Sequence, residues 1–298
     1  MAMEKKMLFL FNPTAGRSVI KNSLADILNI FTKGSYEVVV HPSQFRQDIE
    51  RTIVEKGADF DLVVTCGGDG SLNEAINGMM QLGDRAPELG YIPTGTVNDF
   101  AASHKISKNM LVAARDIVSG TVVETDIGCF NGRYFSYVAA FGAFTDVSYE
   151  TPQILKNRIG KNAYILEGIK RVPLLGSYHI IAEADGEVVE DDMIYGMISN
   201  AVSVGGFKFA RNYDVTMDDG YFEVVFVKKA LSDFFNASVM LNALMHPTSD
   251  NVYTMRAQRI TVHCDEGLSW TLDGEDGGIC TEAVVENIKR PLRLRVPL

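Results

Sequence analysis

A glycine-rich segment with one carboxylate is the first place in this chain where residue types and spacing could do chemistry. Residues 67–74 read GGDGSLNE and lie between an apolar run at 62–66 and a helical pattern of apolar residues. Glycines let a ligand approach the backbone, and the amides at a helix start favour an anion such as a polyphosphate. A carboxylate among these amides would repel a phosphate unless a cation lay between them. Asp69 therefore predicts Mg²⁺ beside the phosphates, and the alternative is that it only caps the turn.

Two further turns follow predicted strands in the same way. Residues 12–17 read NPTAGR and offer backbone amides and the Thr14 hydroxyl, and residues 93–101 read PTGTVNDFA. Taken singly, the first fits a plain strand-to-helix turn equally well, and the second fits a Pro/Gly turn capped by Asn98. Because the carboxyl ends of parallel strands form one edge of a sheet, where α/β proteins bind ligands, we expect the three turns to lie together.

Other nucleotide-binding signatures are absent from the sequence. There is no GxxxxGK[ST] loop, and the HRD and DFG motifs of protein kinases are missing. Asn73 stands where the dinucleotide fingerprint requires its third glycine, and an aspartate separates the first two. P-loop and Rossmann sites are therefore not expected.

The first part of the chain alternates β-rich and amphipathic helical runs, which predicts a parallel sheet flanked by helices. The predicted strands are 7–11, 36–40, 61–66, 90–92 and 122–126. Ser71 and Glu74 have the spacing of a capping box, which predicts a helix start at Ser71. We expect an α/β domain over residues 1–126, with residues 287–298 returning to it through a strand at 292–296.

Over residues 127–286 the sequence pattern changes from alternating strands and helices to hairpin signals, which predicts a mostly antiparallel, β-rich second domain. Asn131-Gly132 and Asp185-Gly186 each separate two strand-like runs. Helices are predicted within this domain at 160–171 and 231–245.

Composition narrows the class of protein. The 38 acidic and 28 basic side chains give a formal net charge of -10, the wrong sign for holding a polyanion, so nucleic acid is not expected as a partner. The 4 cysteines form no C-x-x-C pair, which argues against a zinc site or a disulfide framework. With neither a secretory leader nor an apolar run of ~18 residues, we expect a cytoplasmic protein with at most peripheral membrane contact.

Taken together, the three turns resemble in order and spacing those of the bacterial diacylglycerol kinase family, which also includes sphingosine and ceramide kinases. Matching segments occur over nearly the whole chain: DIG at 126–128, VGGF at 204–207, DDGYF at 218–222 and LDGE at 272–275. GGDG alone also looks similar in NAD kinases and phosphofructokinases, so the combination with GTVNDF carries the resemblance. It implies a first domain of the NAD kinase and phosphofructokinase type, and ATP-dependent phosphorylation of a lipid hydroxyl, foremost diacylglycerol giving phosphatidic acid.

The resemblance also implies roles for single residues. It assigns ATP binding to Asn12, Pro13, Thr14, Gly16, Gly67, Gly68, Asp69, Gly70, Ser71, Asn73, Glu74, Thr96 and Asn98. It implies a catalytic Mg²⁺ linked through water to Asp69, Asp99 and Asp126, and a structural Mg²⁺ at Asp218 or Asp219 with the Tyr221 carbonyl. Asp273 is implied as the general base, with Glu275 supporting it or sharing the role. Without the resemblance, LDGE would be an ordinary hairpin turn, and DDGYF would fit a solvated turn and a functional site equally well.

The chain departs from the family pattern at several positions. Ala102 stands where arginine is common, and His104 begins a segment that differs from the usual LGIP. The small hydroxyl residue expected after the second strand is Ser43 or is replaced by His41. These departures concern lipid choice and loop geometry rather than the nucleotide site.

A locally basic segment indicates how this acidic protein could bind a membrane surface that contains its lipid substrate. Its basic residues are Lys156, Arg158, Lys161, Lys170 and Arg171, with Glu167 as the acid among them. Such a face would dock on an anionic membrane surface, and the alternative is a solvated helix face. Two other functions stay open, a soluble-substrate kinase of the NAD kinase type and a non-catalytic nucleotide-binding regulator, and so does formation of a homodimer.

Overall fold

The computed structural model describes residues 5–13, 20–142, 176–201, 215–229 and 250–298. Several predictions lie outside these residues: Thr14, Gly16, the VGGF motif at 204–207, the basic residues of 156–171, and the helices predicted at 160–171 and 231–245. Among the residues that are described, no helix is both long and apolar enough to cross a membrane.

The chain divides into two compact units. The first comprises Met1–Ile127 together with Lys289–Leu298, and the second comprises Gly128–Ile288. These junctions lie close to the expected ones at 126/127 and 286/287. The second unit is thus inserted between two parts of the first.

Strands and helices alternate along the first unit. Its strands are β1 (Lys5–Phe11), β2 (Tyr36–Pro42), β3 (Leu62–Gly67), β4 (Glu88–Pro93) and β5 (Thr121–Phe130), the last of which runs on into the second unit. Its described helices are α1 (Ile20–Lys33), α2 (Asp48–Lys56), α3 (Asp69–Leu82), α4 (Asp99–Ser103) and α5 (Met110–Ser119). Each predicted strand is present, with its bounds shifted or extended.

Parallel pairing joins the strands of this unit in the order β4-β3-β1-β2. All residues of β3 are buried, as expected for a central parallel strand covered on both faces. The edge strand β2 leaves Val39 and Val40 partly exposed. Because the four strands run in one direction, the turns that follow β1, β2, β3 and β4 lie along the same edge of the sheet.

Helix α3 does not begin where the capping-box spacing predicts. It begins at Asp69 rather than Ser71, and its N-cap residue Gly68 has an extended backbone and no side-chain cap. Glu74 instead bonds the neighbouring helix α2: its Oε1 accepts from the Gln47 amide at 2.8 Å and its Oε2 from the Ile49 amide at 3.3 Å. The prediction was wrong because Glu74, five residues after the first residue of α3, accepts from amides at the start of the adjacent helix instead of those of its own helix.

Strand β13 (Glu275–Val296) begins in the second unit and ends in the first. Leu294 pairs in parallel with Leu89 of β4, and both side chains are fully buried. The amide of Arg290 donates to Asp126 Oδ1 at 2.8 Å. The strand predicted at 292–296 therefore extends the sheet of the first unit on the side of β4.

The second unit is antiparallel throughout its described strands. These are β6 (Arg133–Phe135), β7 (Val138–Gly142), β8 (Tyr178–Ala184), β9 (Glu187–Ser199), β10 (Phe222–Lys228), β11 (Val252–Ala257) and β12 (Arg259–Leu272), with the first part of β13. The main order is β11-β10-β9-β7-β12-β13, and β8 pairs with both β9 and β12. The buried Trp270 ring contacts Phe130 and Phe141 at the centre of the core.

The two predicted hairpins of this unit are confirmed. Asn131-Gly132 joins β5 to β6, and Asp185-Gly186 joins β8 to β9. Both residues of each pair have positive φ, which is the geometry of the type I′ turn that fits a two-residue hairpin.

Candidate active site

Backbone hydrogen bonds bring the three predicted loops together at the carboxyl edge of the first unit. The amide of Asn12, after β1, donates to the Cys66 carbonyl of β3 at 3.1 Å. The amide of Thr94, after β4, donates to the Gly67 carbonyl at 2.8 Å. The end of β3 thus bonds both the turn that follows β1 and the turn that follows β4.

Close backbone contacts explain two glycines of these loops. A Cβ on Gly67 would lie 2.3 Å from Ser71 Oγ, and a Cβ on Gly95 would lie 2.9 Å from the Cα of Gly68. Gly67 is therefore required by the turn of its own segment into α3, and Gly95 by the close approach of the PTGT loop to the glycine-rich loop. Gly68 and Asp69 are part-exposed and Gly70 is exposed at the start of α3, so the amides of this turn lie at the surface where an anion can approach.

Asn98 fixes the turn that follows β4. Its Oδ1 accepts from the Gly95 amide at 3.0 Å, its Nδ2 donates to the Gly95 carbonyl at 2.7 Å, and its own amide donates to Asp69 Oδ2 at 3.1 Å. The side chain is 1% exposed and the residue has φ 56. Asn98 therefore shapes the loop and orients the Asp69 carboxylate, rather than presenting its side chain to a ligand.

Tyr91 is a residue of this site that the sequence did not single out. Its hydroxyl, on a fully buried side chain, lies 3.2 Å from the Gly67 carbonyl and 3.3 Å from Asn98 Oδ1. Burial raises the pKa of this phenol well above its usual value, so it stays a neutral donor. Tyr91 lies in the strand predicted at 90–92, and its polar role follows only from its contacts with the two loops.

The other ATP-binding candidates on α3 and in the PTGT loop differ in exposure. Ser71 is 8% exposed, and Asn73 accepts from Nδ2 of Asn77 through both its carbonyl and its Oδ1. Glu74 bonds the start of α2, as described above. Thr96 is exposed, so of these residues its side chain is the most accessible to a ligand.

The three aspartates predicted at the catalytic Mg²⁺ all belong to the first unit. Asp99 and Asp126 are 1% and 0% exposed, and Asp69 is part-exposed. No group of three acidic, His or Cys side chains close enough to hold a metal occurs among the described residues. Carboxylates are the ligands that Mg²⁺ prefers, and this ion usually keeps several waters, so the donor set fits an ion held through water and phosphate oxygens.

Asp273 of the second unit lies in a hairpin turn and accepts four hydrogen bonds. Its Oδ2 accepts from the amide and the hydroxyl of Ser136 at 2.7 and 2.8 Å, and its Oδ1 from the amides of Tyr137 and Val138 at 2.9 and 3.1 Å. The residue is 6% exposed, whereas Glu275 on the next strand is exposed. Asp273 thus holds the bend between β6 and β7, and all the positions at which its carboxylate can accept are filled.

An arginine from strand β11 bonds the turn that is predicted to hold a structural Mg²⁺. Asp219 Oδ2 accepts from Arg256 Nη2 at 2.5 Å, and Asp219 Oδ1 accepts from the Tyr221 amide at 2.9 Å. Arg256 Nε also lies 3.5 Å from Glu223, whose burial raises the pKa of its carboxyl to about 7 despite the opposing effect of the guanidinium. Because a guanidinium already bonds Oδ2 of Asp219, this carboxylate is a weaker ligand for a second cation, so this part of the predicted ligand set fits the metal poorly.

Known proteins are similar to this chain over nearly its whole length. The family described as "Diacylglycerol kinase catalytic domain" matches residues 6–130. The diacylglycerol kinase of Bacillus subtilis is 33% identical over 296 residues, which cover 98% of this chain and 97% of the relative. That of Staphylococcus carnosus is 33% identical over 280 residues, which cover 93% and 90%.

Solved structures share the fold. A chain from Bacillus anthracis superposes with a TM-score of 0.83 at 24% identity and covers 98% of this chain and 95% of its own. A crystal structure described as a diacylglycerol kinase from the same organism gives 0.76 at 20% identity and covers 99% and 98%. Both likenesses extend over both units of the chain.

Proposed function

The chain belongs to the diacylglycerol kinase family, and on that premise we propose that it transfers the γ-phosphoryl group of ATP to a lipid hydroxyl, with diacylglycerol as the acceptor and phosphatidic acid as the product. One observation in the structure supports this most directly. The glycine-rich turn at the start of α3 lies at the carboxyl edge of the sheet, bonded through Gly67 to the loop that carries Asn98 and Asp99. Phosphoryl transfer depends mainly on such positioning and on neutralising charge, with little covalent work by the protein.

The first unit is proposed to hold the triphosphate. The amides near Gly68 and Gly70 and the hydroxyl of Thr96 face its oxygens, and Asn98 and Tyr91 keep the two loops in register. Asn12 contributes from the end of β1, and Thr14 and Gly16 are assigned by the sequence resemblance alone. Bound Mg²⁺ would neutralise the phosphate oxygens, and Asp69, Asp99 and Asp126 are the residues that would hold it.

The second unit is proposed to supply the group that accepts the proton of the lipid hydroxyl. Glu275 is exposed and follows directly on the Asp273-Gly274 turn. Asp273 can accept a proton only if one of its four hydrogen bonds is first broken, since every acceptor position is filled. The geometry therefore favours Glu275 as the proton acceptor and Asp273 as the residue that positions it.

Contact with the membrane stays a proposal from sequence. We propose that the basic segment at 156–171 docks on the anionic inner face of the cytoplasmic membrane, where a diacylglycerol substrate would be reached.

No second Mg²⁺ is needed at Asp219, because Arg256 supplies the positive charge there.

Radiolabel transfer from γ-labelled ATP tests the proposed function. The full chain with Mg²⁺ would be given mixed micelles of diacylglycerol, ceramide, sphingosine and phosphatidylglycerol, with NAD in a parallel reaction. We expect label in phosphatidic acid, and a loss of about 100-fold or more for Asp69→Asn, because a metal contributes several kcal/mol to such a reaction. Asp84→Asn, at an exposed site beyond the other end of α3, is the matched control. Label in NAD with none in any lipid would refute the proposal.

A further inference from the structure

The turn that follows β2 is fixed by a buried carboxylate. Asp48 is 0% exposed, and its Oδ2 accepts from the Gln44 amide at 2.9 Å and lies 3.0 Å from His41 Nε2. The amide of Ser43 donates to the Phe11 carbonyl of β1 at 2.9 Å. This turn, residues 43–47, is therefore held from both of its ends.

A second anchor joins the same turn to the helix behind the glycine-rich loop. Gln47 has φ 67 and ends the turn without a side-chain cap of its own for α2. The carboxylate of Glu74, on α3, accepts from its amide and from that of Ile49. Glu74 therefore caps α2 from another helix and sets the position of the 43–47 turn relative to the proposed phosphate site.

This fixed turn presents an aromatic side chain to solvent. Phe45 is 54% exposed, and the guanidinium of Arg51 lies 4.9 Å from the centroid of its ring. Arg51 is itself held by Asp48 Oδ1 at 3.3 Å. One face of the ring is thus backed by a positioned cation, and more than half of the side chain's surface remains open to solvent.

The turn lies at the ligand-binding edge of the sheet. Strand β2 is next to β1, which is next to β3, so two strand spacings, about 10 Å, separate its end from the glycine-rich loop. A triphosphate seated on that loop carries its nucleoside at one end, at a distance of this order.

We propose that Phe45 is the platform on which the purine base of ATP stacks, held in place by Glu74 and Asp48. The inference rests on the proposed function and deepens it by naming the residue that binds the base. Aromatic rings stack on bases without hydrogen bonding to them, so the platform accepts any purine. It adds affinity for the nucleoside and none for the phosphates.

Isothermal titration of the full chain with two probes, Mg-ATP and inorganic tripolyphosphate, tests this role. We expect Phe45→Ala to weaken ATP binding about ten-fold and to leave tripolyphosphate binding unchanged, because only ATP carries a base to stack. Phe45→Trp should retain the affinity for ATP, since it keeps an aromatic face. Val54→Ala, at a 40% exposed position on α2, is the matched surface control.

The remaining outcomes separate this inference from the proposed function. Unchanged ATP affinity in Phe45→Ala, or an equal loss for both probes, would overturn the platform while leaving the kinase assignment intact. A wild-type chain that binds neither probe and transfers no label would overturn both.

Discussion

At the scale of single residues, Asp273 shows how much a motif leaves undecided. The letters LDGE are compatible with a general base or with an ordinary turn, and the resemblance favoured the base. The structure supplies donors from Ser136, Tyr137 and Val138, more than a hundred positions away in sequence. Contacts between residues so far apart could not be read from local spacing.

Paired variants should separate the roles of Asp273 and Glu275. We expect Asp273→Asn to lower the free energy of unfolding by about 2–4 kcal/mol, because an amide offers one acceptor oxygen and turns an NH₂ group toward backbone donors. Glu275→Gln, at an exposed position, should change stability by no more than about 0.5 kcal/mol and yet lower kcat. Urea unfolding and the transfer assay measure the two effects. Asp273→Asn with wild-type stability and no activity would instead make Asp273 the base.

At the scale of elements, local periodicity predicted strands and helices better than their partners. The spacing of apolar residues correctly predicted helix α3. The spacing of Ser71 and Glu74 predicted a capping box within that helix, which the structure does not contain. The partner of Glu74 is α2, because the two helices are neighbours and the α2 amides need an acceptor. Which helices are neighbours depends on the order of the strands in the folded sheet, and local spacing in the sequence does not contain that order.

The turn before β10 and the strand β11 are joined by Arg256, and removing it should weaken the second unit. Arg256→Met leaves Asp219 and the buried Glu223 without their positive partner. We expect a loss of about 1–2 kcal/mol in the free energy of unfolding, less than for a fully buried pair because the guanidinium is half-exposed. Arg259→Met, which removes an exposed pair with Glu286 on neighbouring strands, should cost about 0.5 kcal/mol or less.

Removing divalent cations gives an independent check on the same turn. With no nucleotide present, the wild-type unfolding temperature should be the same in Mg²⁺ and in a chelator, because the guanidinium supplies the charge. A Mg²⁺-dependent rise that Asp219→Asn abolishes would show that the turn binds the metal after all.

At the scale of the whole molecule, the sequence predicted the two-part division and the return of the chain. The change from alternating patterns to hairpin signals marked the junction, and the apolar residues at 292–296 marked a strand with no partner nearby in sequence. The sequence could not show that the Arg290 amide would bond Asp126, because the whole inserted second unit separates these two residues in sequence.

The returning strand should be essential to the stability of the first unit. We expect Leu294→Ala to cost about 2–5 kcal/mol, the usual loss for a fully buried leucine. Leu298→Ala, at a position 98% exposed, should change the free energy of unfolding by about 0.5 kcal/mol or less. Equal stability of the two variants in urea would mean that β13 adds little to the sheet.

The shared strand also orders events during synthesis. A ribosome adds about 5–20 residues per second, so on the order of ten seconds pass between the completion of β5 and the arrival of Leu294. During that time β4 has an open edge, and Asp126 has not yet met the Arg290 amide. The nascent first unit is therefore exposed to proteases and to pairing with other chains until the inserted unit, which is translated later, has been made in full.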